Sequence, residues 1–343
     1  MGLSGSGRTT LFRALTAGRV DTRRKGLAEV SVGMTEVPDE RLQRLAAVVH
    51  PKRVVGAQVR FVDIGIGMGT PKAELGPQQL AILRECSALL LLVSAFADGR
   101  DPEAELGRLM TELALADLAT LGRREQVLDK EARVGTGGAR EQLEIVGRLR
   151  QQLDSGQGLT QLDESAQQLA DGLALLSGKP QVWIVNVAEG DLPSGGAGAQ
   201  RIVQSGQAGH VEVLVLSAEL ESQLLDLDPQ EAGLYRQSLG LTRSGLEMLT
   251  QAAFRSLGLI SFFTAGEPEV RAWPVSSGSN AVMAAGTIHS DFERLFIRAE
   301  VASIDEVVSY GSMEALRSKG KLRTEGKDYL VNDGDVVFFR VGR

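Results

Sequence analysis

A glycine-rich segment at the start of the chain has the residue spacing of a phosphate-binding loop. Residues 2–9 read GLSGSGRT, which matches the motif G-x-x-x-x-G-K-[ST] except that Arg8 stands in place of the lysine. Glycines let backbone N–H groups turn inward around phosphate oxygens, and a helix that begins near Thr9 adds the positive end of its dipole. The alternative interpretation is a flexible, glycine-rich terminus. The predicted nucleotide contacts in this segment are Gly2, Gly5, Ser6, Gly7, Arg8, Thr9 and Thr10.

Two side chains are predicted to hold Mg²⁺. The Thr9 hydroxyl occupies the position of the metal ligand in the motif, and Asp63 follows the apolar run at residues 57–62. Asp is also a common turn residue after a strand, so this position has a second interpretation. Arg8 keeps the positive charge of the missing lysine, but its planar fork is wider than an ammonium group. We therefore expect its contact with the β- and γ-phosphates to be displaced.

Polar residues follow two later apolar runs, where the carboxyl ends of strands in α/β folds bind ligands. Asn186 and Glu189 come directly after the run at residues 182–185, and Ser217 and Ala218 come directly after the run at residues 211–216. The Asn186 amide is suited to reading the edge of a base. We predict that these four residues complete the nucleotide site.

The elements expected to position these loops are those of an α/β fold with a mostly parallel sheet. β-Branched and aliphatic runs alternate with helical sequence, as such a sheet requires. A helix is predicted at residues 9–15, and strands are predicted at residues 57–62, 88–93, 182–185 and 211–216.

A helical hairpin is predicted between the two halves of the sheet. Leu106, Met110 and Leu113 share one helical face, and glycines at 135, 137 and 138 interrupt the helical sequence. A second face carries Leu143, Val146, Leu149 and Leu153. Periodicity alone leaves open whether these helices form an insert or a layer that covers the sheet.

Composition restricts the environment and the partners of the chain. Its 343 residues contain 37 Lys and Arg against 44 Asp and Glu, so the net charge of -7 gives no general attraction to nucleic acid. We expect no DNA partner, and any RNA contact must be a local patch. Cys86 is the only cysteine, which excludes an internal disulfide framework. The apolar run at 88–93 is too short to span a bilayer and no signal-peptide pattern is present, so we expect a cytoplasmic protein without a membrane partner.

Collinear segments across essentially the whole chain match the sequence pattern of one family. The first are the helix sequence TTLFRAL at residues 9–15 and then PDERL and PKR at residues 38–42 and 51–53. TELALADL follows at residues 111–118. The C-terminal segments are FTAG, EVRAW, AAGTIH, FIRA, EGKDY and DGD, at residues 263–266, 269–273, 284–289, 296–299, 325–329 and 333–335. Together these segments resemble the Obg-like ATPase family called YchF.

This resemblance implies a Ras-like nucleotide domain that prefers ATP over GTP, a C-terminal β-grasp TGS domain, and association with ribosomes. The implied division is an NTPase part at 1–105, a helical insert at 106–180, a second NTPase part at 181–260 and a TGS domain at 261–343. Related GTPases place an Asp after Asn-Lys-x to accept hydrogen bonds from guanine, whereas this chain has Val187 and Glu189. GTP remains an alternative ligand.

Several departures from the family pattern bear on hydrolysis. The Asp-x-x-Gly segment reads Asp63-Ile64-Gly65-Ile66, the first-switch Thr aligns near Leu27, and the loop after Val93 lacks the family's histidine. His50, His210 and His289 do not replace it. Met1 directly precedes Gly2, so either the true start lies upstream or the site is impaired. The two main hypotheses are a slow ATP-hydrolysing, ribosome-associated protein and a degenerate relative that binds nucleotide or a partner without turnover. A purely structural helical scaffold explains the insert but not the loops.

The tail concentrates positive charge in an otherwise acidic chain. A solvated surface and a ribosome-binding surface both account for it. The resemblance to a TGS domain favours ribosomal RNA or a ribosomal protein as the partner. The residues concerned are Arg317, Lys319, Lys321, Arg323 and Lys327.

Overall fold

The computed structural model describes residues 1–18, 21–25, 28–64, 75–97, 99–156, 158–159 and 162–342. Its chain separates into two compact units. The first contains Met1–Gly33 and Phe61–Met248, and the second contains Met34–Arg60 and Leu249–Arg343. Leu27, Gly65 and Ile66, on which part of the sequence argument about hydrolysis depends, lie outside the described residues.

The elements are numbered in chain order. The strands are β1 Asp21–Lys25, β2 Ala28–Glu36, β3 Val54–Val55, β4 Gln58–Ile64, β5 Leu89–Ser94, β6 Gln181–Asn186, β7 Glu212–Leu216, β8 Leu259–Ala265, β9 Val270–Ser276, β10 Phe296–Ser303, β11 Arg323–Glu325 and β12 Asp335–Val341. The helices are α1 Arg8–Leu15, α2 Glu40–Val49, α3 Pro77–Glu85, α4 Pro102–Arg133, α5 Ala139–Asp154, α6 Glu164–Gly172, α7 Gly196–Ala208, α8 Ala218–Leu224, α9 Pro229–Ser238, α10 Gly245–Ser256, α11 Ala281–Ile288, α12 Ser290–Arg294, α13 Ile304–Tyr310 and α14 Met313–Ser318.

The centre of the first unit is a parallel sheet in the order β5-β6-β7. The interior residues of β6 are almost fully buried, which explains its continuous apolar sequence. Gly2 pairs in parallel with Leu92 of β5, and the Met1 carbonyl accepts a hydrogen bond from the Leu92 N–H at 2.9 Å. This pairing places residues 2–9 beside the carboxyl end of β5. The predicted α/β fold is confirmed, with a mixed rather than wholly parallel arrangement because β1 and β2 pair antiparallel.

The helical hairpin predicted from periodicity is formed by α4 and α5. The first part of α4 packs into the core of the sheet through Leu106, Leu109 and Leu113. Its second part and α5 bury a separate apolar cluster that includes Leu128 and Leu149. The first part of α4 therefore belongs to a helical layer that covers the sheet, and its second part forms the inserted hairpin with α5.

A buried carboxylate joins α4 to the segment that leads into β6. Asp117 is fully buried and accepts hydrogen bonds from the N–H groups of Leu176 and Ser177, at 2.8 and 2.7 Å. Burial raises the pKa of Asp117, although the two N–H donors oppose the shift. The carboxylate thus anchors the chain where it returns from the helices to the sheet.

The second unit contains a sheet in the order β11-β10-β12-β8-β9-β3. Side chains from β8, β9, β10, β12 and α11 fill its core, and Phe262 and Phe339 meet edge to face there. The short strand β3 pairs in parallel with β9, so residues from the first sixth of the chain belong to this C-terminal unit. No helix in the described part of the chain is long and apolar enough to cross a membrane.

Candidate nucleotide-binding site

Two left-handed glycines shape the loop at residues 2–9. Gly5 and Gly7 have φ values of 76° and 87°, a region that disfavours side chains. A Cβ atom at Gly7 would lie 2.1 Å from Nδ2 of Asn186, so this glycine is also required by close packing. The Gly7 carbonyl accepts the N–H of Leu11 at 2.9 Å, and α1 continues from there. The loop therefore ends at a helix N-terminus, which favours anions.

The Asn186 side chain ties three loops together. It is 4% exposed; its Nδ2 donates to the Ser6 carbonyl at 2.9 Å, and its Oδ1 accepts the Ala218 N–H at 2.8 Å. Ser217 caps α8 by accepting the Leu220 N–H at 3.4 Å. The structure thus brings together residues that are about 180 positions apart in the sequence. Both ends of the amide contact backbone groups, a positioning role that differs from the base-reading role expected for it.

Ser6 has an unsatisfied polar group inside this arrangement. Its side chain is 1% exposed, and its Oγ has no hydrogen-bond partner within the described residues. A Cβ atom at Gly2 would lie 2.7 Å from this oxygen, so the glycine leaves it room. A buried hydroxyl without a partner is costly, and a ligand oxygen is the kind of group that would satisfy it.

Arg8 forms an ion pair with Asp63, which together with Thr9 was predicted to hold the metal. Arg8 Nε lies 2.6 Å from Asp63 Oδ1, and Arg8 Nη1 donates to the Gly2 carbonyl at 3.2 Å. The close approach of Nε and Oδ1 lacks hydrogen-bond alignment, so we describe it as an ion pair. The guanidinium group is therefore directed along the loop to the end of β4 and neutralises the carboxylate there.

The donor set at this point suits Mg²⁺ in kind. Thr9 is exposed at the start of α1 and offers a hydroxyl, and Asp63 offers a carboxylate that is paired with Arg8 in this structure. Mg²⁺ commonly uses one or two protein oxygens and takes its other ligands from phosphates and water. In the described part of the chain, no group of three or more His, Cys, Asp or Glu side chains could hold a metal on its own.

Arg100, which is not among the site residues predicted from the sequence, also contacts the loop. Its Nη2 donates to the Ser4 carbonyl at 2.7 Å, and its Nη1 contacts Oε1 of Glu105 at 2.6 Å. The other Glu105 oxygen accepts the Ser94 N–H at 2.9 Å, which connects Arg100 to the end of β5. A Cβ atom at Gly5 would meet Arg100 at 2.6 Å. No local motif marks this residue, because its contacts depend on the fold.

Glu189 lies in a short 3-10 helix, Glu189–Asp191, after β6. Its Oε1 accepts a hydrogen bond from the Tyr235 hydroxyl at 2.6 Å. This hydrogen bond raises the pKa of Tyr235 and is the largest cause of the shift. Tyr235 belongs to α9, and the sequence gave no signal for its role. The Glu189 carboxylate is thus already engaged by a phenol.

Thr10 is the last predicted nucleotide contact, and the three histidines of the chain were not predicted to belong to the site. Thr10 is half-buried in the first turn of α1. His210 lies in the turn before β7, with φ 55°. His50 and His289 belong to the second unit, where they flank α2 and α12.

The first unit combines a parallel sheet with a glycine loop that leads into α1 and with polar loops at the strand ends. These features define a phosphate-loop nucleotide-binding protein of the α/β class. Residues 259–342 match the family model YchF-GTPase_C, described as "Protein of unknown function (DUF933)". The chain is 36% identical over 356 residues to the "Ribosome-binding ATPase YchF" of Bacillus subtilis (strain 168), covering 99% of this chain and 97% of that protein. It is 36% identical over 353 residues to the Escherichia coli O157:H7 protein of the same name, with the same coverage.

A solved structure gives the same result for the fold. The chain resembles the "Structure of the Schizosaccharomyces pombe YchF GTPase" with a TM-score of 0.87 and 26% identity, covering 99% of this chain and 96% of that one. The chain therefore belongs to the YchF family. The resemblance inferred from the sequence is confirmed.

Proposed function

We propose that this chain binds adenine nucleotide at residues 2–9 together with Asn186, Glu189, Ser217 and Ala218, hydrolyses ATP slowly, and associates with ribosomes in the cytoplasm. The observation that carries the nucleotide site is the buried Asn186 amide, which holds the phosphate loop against the loop after β7. The relatives named ribosome-binding ATPases support the activity and the partner.

The engaged Glu189 carboxylate supports adenine as the base. A guanine site needs a carboxylate that is free to accept hydrogen bonds from the ring N–H and the amino group. Glu189 accepts a hydrogen bond from the Tyr235 hydroxyl, and Val187, two residues earlier in the chain, is buried. The phenol already uses Oε1, so a guanine base would have only the remaining acceptor positions of this carboxylate. GTP is the alternative ligand, and direct titration distinguishes the two.

Thr9 and Asp63 would hold Mg²⁺ when nucleotide is bound. When bound there, Mg²⁺ would supply a positive charge that stabilises the negative charge developing on the phosphates during transfer. Arg8 must leave Asp63 for this to happen, and its guanidinium is then free to face the phosphates. Ser6 Oγ and the N–H groups at the start of α1 would orient the same oxygens.

A second candidate function is nucleotide or partner binding without turnover. The Arg8–Asp63 ion pair favours it, because the cation that should contact phosphate instead neutralises the carboxylate that should hold the metal. Turnover would then require the ion pair to break in every cycle. Phosphate release by the wild type separates this candidate from the first.

Calorimetric titration of the full chain with ATP, ADP and GTP, each with and without Mg²⁺, tests the site. We expect ATP to bind more tightly than GTP. The absence of ATP binding at millimolar ligand by folded protein would contradict the assignment. Phosphate release measured with and without ribosomes then tests hydrolysis, and co-sedimentation with ribosomes tests the association. Binding without phosphate release under either condition would favour the second candidate.

A further inference from the structure

The outer face of the second unit's sheet carries an unusual group of side chains. In the antiparallel pair β10 and β12, Arg298 lies opposite Arg340 and Glu300 lies opposite Phe338. The alternate residues of both strands, such as Ala299 and Phe339, point into the hydrophobic core. The four side chains therefore share the face opposite this core.

A buried carboxylate organises the cations on this face. Glu300 is 5% exposed, and its oxygens accept hydrogen bonds from Arg317 at 2.6 and 2.9 Å and from Arg340 at 3.1 Å, with Arg298 at 3.5 Å. Burial would raise the pKa of Glu300, but the hydrogen bonds and charges of Arg317 and Arg340 outweigh it and lower the pKa. Three guanidinium groups against one carboxylate leave two net positive charges, and hydrogen bonds to Glu300 hold Arg317 and Arg340 most closely.

An exposed aromatic ring lies close to two of these cations. The Phe338 ring centroid lies 4.5 Å from Cζ of Arg340 and 5.3 Å from Cζ of Arg317. The side chain is nevertheless 40% exposed. A large apolar side chain on the solvent side of a strand has no role in the core of this unit. Arg317, Phe338 and Arg340 together present planar groups beside fixed positive charge.

We propose that this face, defined by Arg298, Glu300, Arg317, Phe338 and Arg340, binds unpaired bases and adjacent phosphates of single-stranded RNA. Unpaired RNA bases stack on aromatic rings and on guanidinium planes, and their phosphates pair with nearby cations. Duplex RNA offers no free base face. An acidic protein segment would use the charges but would gain nothing specific from the ring.

This inference deepens the proposed association with ribosomes by naming the chemistry of one contact, and it rests on that proposal for its biological setting. The tail cations singled out in the sequence contribute differently from one another. Arg317 is hydrogen-bonded to Glu300, whereas Nζ of Lys319, just after α14, lies 5.7 Å from the ring centroid of Tyr310 at the end of α13. The face is therefore built by β10 and β12 as much as by the basic tail.

The test measures how the full chain binds a fluorescently labelled single-stranded oligoadenylate of about 12 nucleotides, with a blunt RNA duplex of the same length as the comparison. Phe338→Leu keeps an apolar side chain on β12 but removes the ring, and we expect it to weaken single-strand binding about tenfold. Phe338→Tyr keeps the ring and should bind like the wild type. Met283→Ala removes an exposed apolar side chain elsewhere in this unit and should change nothing.

The salt dependence separates charge from stacking. Arg340→Gln should reduce the slope of log affinity against log salt by about 0.7, because one fewer phosphate is neutralised on a single strand. Phe338→Leu should lower the affinity without changing the slope. Circular dichroism of every variant establishes that the fold is kept.

Two results would overturn the proposal. One is equal oligonucleotide binding by the wild type and folded Phe338→Leu. The other is wild-type protein that co-sediments with ribosomes but does not bind the oligonucleotide, which excludes single-stranded RNA as the ligand of this face and leaves the proposed ribosome association intact. Phe338-dependent RNA binding without ribosome co-sedimentation would support the RNA surface and contradict the ribosome association instead.

Discussion

Replacing Asn186 by Ala is expected to destabilise the first unit and to weaken nucleotide binding. The substitution removes the hydrogen bonds to the Ser6 carbonyl and from the Ala218 N–H, at 2.9 and 2.8 Å, both in a buried setting. Each backbone group left without a partner costs about 1–3 kcal/mol, so the free energy of unfolding should fall by about 2–4 kcal/mol once partial rescue by water is allowed for.

Urea unfolding followed by tryptophan emission measures this change. The chain has two tryptophans, Trp183 on β6 of the first unit and Trp273 on β9 of the second. In a Trp273→Phe background, the emission of Trp183 reports the unit that contains Asn186. Far-UV circular dichroism under native conditions shows whether the variant is folded before denaturant is added.

Nucleotide affinity gives the second measure, because a loosened phosphate loop must be ordered again on binding. If about 1.4 kcal/mol of the loss is recovered in that step, ATP affinity falls about tenfold. Asn332→Ala is the matched control, since it removes an exposed amide that donates to the Tyr329 hydroxyl at 3.0 Å. Its effect should stay within about 0.5 kcal/mol. Wild-type stability and wild-type ATP affinity in Asn186→Ala would refute the reasoning.

Three further predictions concern the loop, turnover and pH. Gly7→Ala should abolish detectable ATP binding, because the residue has a positive φ and the added Cβ would lie 2.1 Å from Asn186 Nδ2. Gly138→Ala is the control: this glycine has φ 78°, but no atom lies within 4 Å of the added Cβ, so the variant has only the backbone strain and should bind ATP normally. Arg8→Lys should raise the rate of phosphate release, because a lysine is a point charge that follows the γ-phosphate more readily than a planar fork. Equal rates of phosphate release by the wild type and Arg8→Lys would show that the arginine does not slow turnover. The lowered pKa of Glu300 gives the second unit stability that is present above the ordinary glutamate pKa and is lost as pH falls through the folded-state value. Acid titration followed by the tryptophan of that unit should show this loss, and Arg340→Gln should make it shallower; an unchanged profile would mean that the guanidinium group does not lower the pKa.

Local patterns in the sequence identify the elements and the general class of the site. The glycine spacing at residues 2–9 and the apolar run that becomes β6 each depend on neighbouring residues, so they can be read without the fold. The predicted helix at 9–15 and the predicted strands agree with α1, β4, β5, β6 and β7 to within a residue or two at most ends. One small difference matters, because β4 extends to Ile64 and Asp63 therefore lies within the strand rather than after it.

Only the tertiary structure decides which of these groups meet. Arg8 forms an ion pair with Asp63, and both ends of the Asn186 amide form hydrogen bonds with backbone groups. Glu189 accepts a hydrogen bond from Tyr235. None of these contacts follows from spacing, because each joins segments that are distant in sequence and converge only when the sheet assembles.

The same reason applies to the outer face of β10 and β12. Successive side chains of a strand point to opposite faces, which indicates that Phe338 and Arg340 share one face of β12. The local sequence also shows the basic tail that contains Arg317. The antiparallel register places Glu300 opposite Phe338, and the packing of α14 brings Arg317 to the same carboxylate. The sequence by itself determined the class of fold, the phosphate loop and the family. The tertiary structure decided the partners of the charged and polar side chains, because hydrogen bonds and ion pairs depend on distances of a few ångströms between atoms that lie far apart along the chain.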